Sequence, residues 1–140
     1  MPGITAALGC AASAGIPLTH RDHAQTCMFV TGHLKDGTID LDWTTLSRPR
    51  QTVVIYMGSE TLSVIARQLV QHGLASETPV ALIANGTTER ERRVIGTLDS
   101  IERLAQRAQL QGPALCVVGE VVGLALGRDS EFHFESRIGL

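Results

Sequence analysis

The chain has 140 residues, 44% of them hydrophobic and 19% charged, with a formal net charge of −2. That length and composition fit one globular domain with its own core and exclude a disordered chain. The charge balance offers no basic surface for nucleic acid or an anionic membrane, no apolar run approaches the roughly 18–20 residues of a membrane span, and no secretory signal is visible.

Residues 4–14, ITAALGCAASA, are small and helix-tolerant, with Thr5 near the helix start and Gly15 and Pro17 stopping it. TCMFVTG (26–32) reads as a strand ending at Gly32, and LDWTTL (41–46) as a short helix closed by Pro49. TVVIYM (52–57) is a continuous β-branched and apolar run, the pattern of a strand buried on both faces. Ser59, with Glu60, is positioned to cap a helix whose inner face is Leu62, Ile65, Ala66, Leu69 and Val70, with Gly73 ending it.

PVALIA (79–84) is a further apolar strand, and RRVIGTL (92–98) an alternating one. Asp99 and Glu102 have capping-box spacing ahead of a helix carrying Ile101, Leu104, Ala105 and Ala108. Pro113 precedes ALCVVGEVV (114–122), read as a last buried strand. The tail beyond Leu124 shows no clear period, which divides the chain into residues 1–124 and a loose tail, 125–140. Helices alternating with buried strands give an α/β fold with a single sheet. The short link at Asn85-Gly86 calls for at least one antiparallel pair, so the sheet is mixed and flanked by helices.

Cys10, Cys27 and Cys116 are odd in number and widely spaced, with no C-x-x-C pair. They read as free, mostly buried thiols of a reducing compartment, with the cytoplasm as the expected location.

Three apolar strands end in glycine-bearing loops: Thr31-Gly32-His33, Met57-Gly58-Ser59 and Asn85-Gly86-Thr87. In an open α/β sheet ligands lie beyond strand ends, where glycines admit them to the backbone. Taken singly, each loop is also ordinary turn chemistry. His20, His23 and His33 raise the alternative of a metal-dependent enzyme, but no thiol or second tight pair completes a ligand set, so no metal is expected. No G-x-S-x-G elbow is present, and no catalytic residue is identified. Arg21, Lys35, Arg48 and Arg50 are cations near loops, and TERERR (88–93) reads as an exposed hairpin surface.

PGITAALGCAASAGIPLTHRD, FVTGH, DLDW, QTVVIYMG, TPVALIANGT, RVIGTL and PALCVVGEVVGL follow one another in the order and spacing of a known family. From Pro2 to about Leu124 the chain resembles the C-terminal part of the uroporphyrinogen-III C-methyltransferases, tetrapyrrole methylases of sirohaem and cobalamin synthesis. The resemblance implies the C-terminal domain of a two-domain homodimeric enzyme with S-adenosyl-L-methionine between the domains. The family methylates uroporphyrinogen III at C2 and C7 to precorrin-2. Thr5, Ala6, Met57 and Gly86 are implied in cofactor contact, and His20, Arg21 and His33 are substrate-side candidates for a carboxylate-rich macrocycle.

There are departures. Ser13 stands where the family often has an aromatic, Ala84 where a Glu is common, and the tail lacks a closing Trp-Phe. The G-x-G-P-G-D and G-G-D-P-F loops of the N-terminal half are not in this sequence, so Met1 is expected to mark a cut. Weak or absent cofactor binding and no activity are expected of the chain alone. A non-catalytic dimerisation module derived from the family is the other reading.

Overall fold

The computed structural model describes residues 2–32, 39–58 and 60–126. Strands β1 (Thr26–Thr31), β2 (Gln51–Tyr56), β3 (Pro79–Ala84), β4 (Arg92–Thr97) and β5 (Ala114–Val118) form one sheet in the order β1-β2-β5-β3-β4. β1 and β2 are parallel, β5 is antiparallel to both β2 and β3, and β4 is antiparallel to β3. The single mixed sheet expected from the sequence is therefore what forms. β1, β2 and β3 point the same way, so their carboxyl ends meet the amino end of β5 at one edge.

The alternation of side chains along each strand sorts the core into two layers. Val53 and Ile55 of β2, Val80 and Leu82 of β3, and Cys116 and Val118 of β5 face one side. There they meet α2 (Trp43–Leu46), α3 (Leu62–Gln71) and α4 (Ile101–Ala108) through Leu46, Ile65, Leu69 and Ile101. Val54, Ala81, Ile83, Leu115 and Val117 face the other side, against α1 (Ala6–Ala14) and α5 (Val121–Leu126). α1 presents only small side chains inward, Ala7, Cys10, Ala11 and Ala14, so its backbone lies close to the sheet. Gly15 closes it in the left-handed conformation, with Ile16 N–H bonded back to the Ala11 carbonyl.

Several local expectations change. α3 buries Leu62, Ile65, Ala66 and Leu69, but Val70 is 38% exposed. Three large side chains, not four, then contribute roughly 1.5–3 kcal/mol each. Its N-cap is Thr61, whose hydroxyl donates to the Gly32 carbonyl and ties the loop after β1 to the start of α3. Ser59, expected as the cap, lies outside the described residues. The Asp99–Glu102 capping box does not form: the N-cap of α4 is Ser100, and its hydroxyl accepts from Thr97 N–H in the preceding turn. α2 is capped by Asp42, which accepts from both the backbone and the hydroxyl of Thr45.

The largest difference lies at 119–126. The run read as one strand through Val122 leaves the sheet after Val118, where Gly119 takes a φ of 148°. A Cβ there would sit 3.0 Å from the Gln51 carbonyl, so the strand exit requires glycine. Val121 and Val122 are fully buried from helix α5 instead. α5 continues through Leu126, across the 124/125 boundary, and residues 127–140 lie outside the described residues. All three cysteines are free; Cys10 and Cys116 are buried and Cys27 half-buried, and burial pushes the Cys116 thiol up to about 12.

Candidate cofactor groove

At the edge where β2 and β3 end and β5 begins, the chain folds around a groove of about 590 Å³. Its floor is Ile83, Ala114 and Leu115, and α1 supplies Ala6 and Cys10 along one side. Tyr56 and Met57 come from the end of β2, and Asn85, Gly86 and Thr88 from the loop after β3. Volume and lining match a small-molecule site: apolar walls with a few convergent polar groups. The position, outside the carboxyl ends of strands in an open sheet, is where such folds take ligands.

Each wall has a local cause. Tyr56 follows Val54 on the α1 face of β2, and its hydroxyl accepts from Ala7 N–H at 3.1 Å while hydrogen-bonding the Thr5 hydroxyl. The first turn of α1 is thereby fixed over the groove, with one of its orphan N–H groups satisfied from the sheet. Met57 turns the chain out of β2 at a φ of 53° and is 61% exposed. Asn85 takes a φ of 50°, held by Pro113 and by its own amide donating to the Gln111 carbonyl. Gly86 packs against α1: a Cβ would lie 2.3 Å from Cys10 Sγ and 3.3 Å from Ile83 Cγ2. Cys10 stays protonated, its thiol pushed up by burial and then by the Glu91 charge.

Of the four residues implied in cofactor contact, Ala6, Met57 and Gly86 line this groove, and Thr5 adjoins it through Tyr56. They come from three segments of the chain, separated by up to 81 positions. The glycine loops after β2 and β3 both reach the site. Gly32, after β1, instead packs beside Gly58, and His33 and Lys35 lie outside the described residues. Asn85 belongs to a loop the sequence had singled out, whereas sequence reasoning missed Tyr56, Cys10 and Leu115 as lining residues. For Tyr56 the signal was present: period-2 alternation puts it on the same face as Val54.

His20 and Arg21 are elsewhere. The Arg21 carbonyl accepts from Arg50 at the amino end of β2, and His23 pairs with Glu120 at 3.0 Å beyond the end of β5. They are therefore a strand length, about 20 Å, from the groove. The His20 and His23 rings lie 5.0 Å apart, but among the described residues no group of three His, Cys, Asp or Glu side chains is placed to hold a metal ion. In the 88–93 run Thr88, Glu89 and Arg90 are exposed as expected, whereas the Glu91 side chain is only 11% exposed and ion-paired to Arg93. Among the described residues no helix is long and apolar enough to cross a membrane.

Residues 1–102 match the family model of the tetrapyrrole (corrin/porphyrin) methylases. A siroheme synthase of Azotobacter vinelandii is 56% identical over 137 residues, covering 98% of this chain and 29% of that protein. A siroheme synthase of Nitrosospira multiformis is 56% identical over 124 residues, covering 89% of this chain and 26% of that protein. Among solved structures, the uroporphyrin-III C-methyl transferase from Thermus thermophilus complexed with S-adenyl homocysteine superposes with a TM-score of 0.74 at 31% identity. That match covers 89% of this chain and 53% of the other. The chain thus spans less than a third of the curated relatives it matches and about half of the solved methyltransferase. With the motifs in register, the mixed sheet matched and the family model covering residues 1–102, this chain belongs to the tetrapyrrole methylases.

Proposed function

We propose that this chain is the C-terminal part of an S-adenosyl-L-methionine-dependent uroporphyrinogen-III C-methyltransferase, acting in the cytoplasm, and that it forms one wall of the cofactor site. The observation that carries the proposal is the convergence of Ala6, Met57 and Gly86 on one groove, with Thr5 anchored at its rim. The groove suits the group: Ile83, Ala114 and Leu115 offer an apolar surface to a purine, while Asn85, Thr88 and Glu60 bring polar atoms to the same opening. Bound there, the cofactor supplies an electrophilic methyl group to the tetrapyrrole. The work of this chain is binding and orientation. Tyr56 fixes the first turn of α1, and Met57 and the Asn85–Thr88 loop contribute further lining. His20 and Arg21 sit at the other end of the sheet from the groove.

With one wall only, the chain alone binds the cofactor product weakly and has no methyltransferase activity. The other wall comes from the N-terminal half of the enzyme, and the assembled protein is a homodimer. Ile4 at 84%, Leu8 at 52% and Met57 at 61% exposure support a covered surface around α1 and the groove. Titrating the chain with S-adenosylhomocysteine and following amide resonances tests the proposal. Shifts concentrated at Thr5, Ala6, Met57 and Gly86 are expected. Shifts confined to other surfaces, or tight binding with turnover of uroporphyrinogen III, overturn it.

A further inference from the structure

One carboxylate holds the loop beside the groove. Glu91 Oε2 accepts from the Ser13 hydroxyl at 2.5 Å and from Thr87 N–H at 2.6 Å, and Oε1 accepts from Arg93 Nε at 2.5 Å. Arg93 also donates to the Ser13 carbonyl at 2.6 Å. Four side-chain bonds thus tie the end of α1, the β3–β4 loop and the start of β4 together. The loop needs that support. Thr87, a β-branched residue, sits at a φ of 66°, a strained conformation that persists only where the surrounding structure holds it. Its neighbours on either side, Gly86 and Thr88, both line the groove. A second cavity of about 370 Å³, lined by Ser13, Thr87, Thr88, Glu91 and Arg93, adjoins the groove at Thr88.

We propose that Glu91 is a positioning residue for the groove: its bond to Thr87 N–H holds the left-handed loop that sets Gly86 and Thr88 against a bound nucleoside thioether. Ser13 and Arg93 in turn hold Glu91. The inference rests on the cofactor reading above and adds to it a residue that lines none of the groove's walls. Burial pushes the Glu91 carboxyl up, but the Ser13 hydroxyl, Thr87 N–H and Arg93 guanidinium outweigh it and keep the group below its ordinary value, so it is charged at neutral pH. Ser13 also gains a purpose. Where the resemblance expects an aromatic, a hydroxyl here donates to this carboxylate.

The full chain, Glu91→Ala, Glu91→Gln and Ser13→Ala are titrated with S-adenosylhomocysteine by amide NMR, at a temperature where all four are folded. In E91A the downfield Thr87 amide signal and its exchange protection are lost while β3 amides keep theirs, and affinity falls about tenfold. E91Q, which keeps an acceptor oxygen for Thr87, retains the protection and stays within about threefold of the parent. S13A, the gentler change, loses about threefold and keeps the test readable if E91A does not fold. A general loss of fold would weaken E91Q and E91A alike and expose β3, which overturns the positioning role. If the parent takes up no S-adenosylhomocysteine, the proposed function fails. If the parent binds and E91A binds equally well, only the present inference fails.

Discussion

The hydroxyl of Tyr56, at the end of β2, accepts a hydrogen bond from the backbone N–H of Ala7 in the first turn of α1. A strand side chain thus caps a helix 49 positions away in sequence, while Thr5, the residue at the N-cap, makes no side-chain cap bond of its own. The bond joins a sheet edge to a helix start at the mouth of the groove.

Tyr56→Phe keeps the ring and removes this cap. A lost N-terminal cap costs about 0.5–2 kcal/mol, so the urea midpoint is expected to fall and the Ala7 amide to exchange faster. An unchanged midpoint with unchanged Ala7 exchange would show that the bond contributes nothing.

Glu91 gives the acid limb of stability a defined origin. Its folded carboxyl lies below the ordinary 4.5, so the stabilisation is fully present above that value and is lost as pH falls through the folded one. Denaturation of the parent and Glu91→Gln from neutral to acid pH is the check. The two are expected to differ at neutral pH and to converge below about 4.5; a difference that grows as pH falls has the wrong sign.

Gly86 and Cys10 form a close pair. Gly86→Ala forces a methyl into Cys10 Sγ and against Ile83, and overpacking of this kind costs about 1–3 kcal/mol. Adding Cys10→Ala removes the sulfur and is expected to restore about half of the loss. A double-mutant cycle by urea unfolding reads the coupling, and strict additivity would rule the contact out.

Thr52 is fully buried in β2, and its hydroxyl has no hydrogen-bond partner among the described residues. Thr52→Val removes an unpaid desolvation cost and suits a strand, so stability is expected to rise by about 1–2 kcal/mol. A fall in the thermal midpoint would mean that the hydroxyl is satisfied in solution.

Most of the elements were legible because buried strands and amphipathic helices write their period into the chain. Val53 to Ile55 and Val80 to Ile83 are apolar at successive positions, and both are central strands covered on two faces. The same signal misled at 119–122, where the apolar run continues although the strand has stopped. Gly119 and Glu120 inside that run were the readable warning, since a glycine and a charge seldom sit together mid-strand. Strand order was not legible, because pairing partners such as Val54 and Val117 are set by tertiary contact. In the groove, Met57 and Gly86 could be approached from their glycine loops, whereas Thr5 and Ala6 rested on the family resemblance. Tyr56 reaches Ala7 across 49 positions, and Glu91 is itself held by Ser13 across 78, distances that local pattern does not encode.

Among the described residues β5 is the last strand in sequence, yet it lies in the middle of the sheet between β2 and β3. Until residues 114–118 have been synthesised, β1–β2 and β3–β4 can exist only as separate two-stranded ladders, each marginal on its own and each with a bare inner edge. The sheet therefore closes from its centre, and only once β5 is available to join the two ladders. A chain stopped before Ala114 would have most of the sequence and no continuous sheet, with the floor of the groove missing as well.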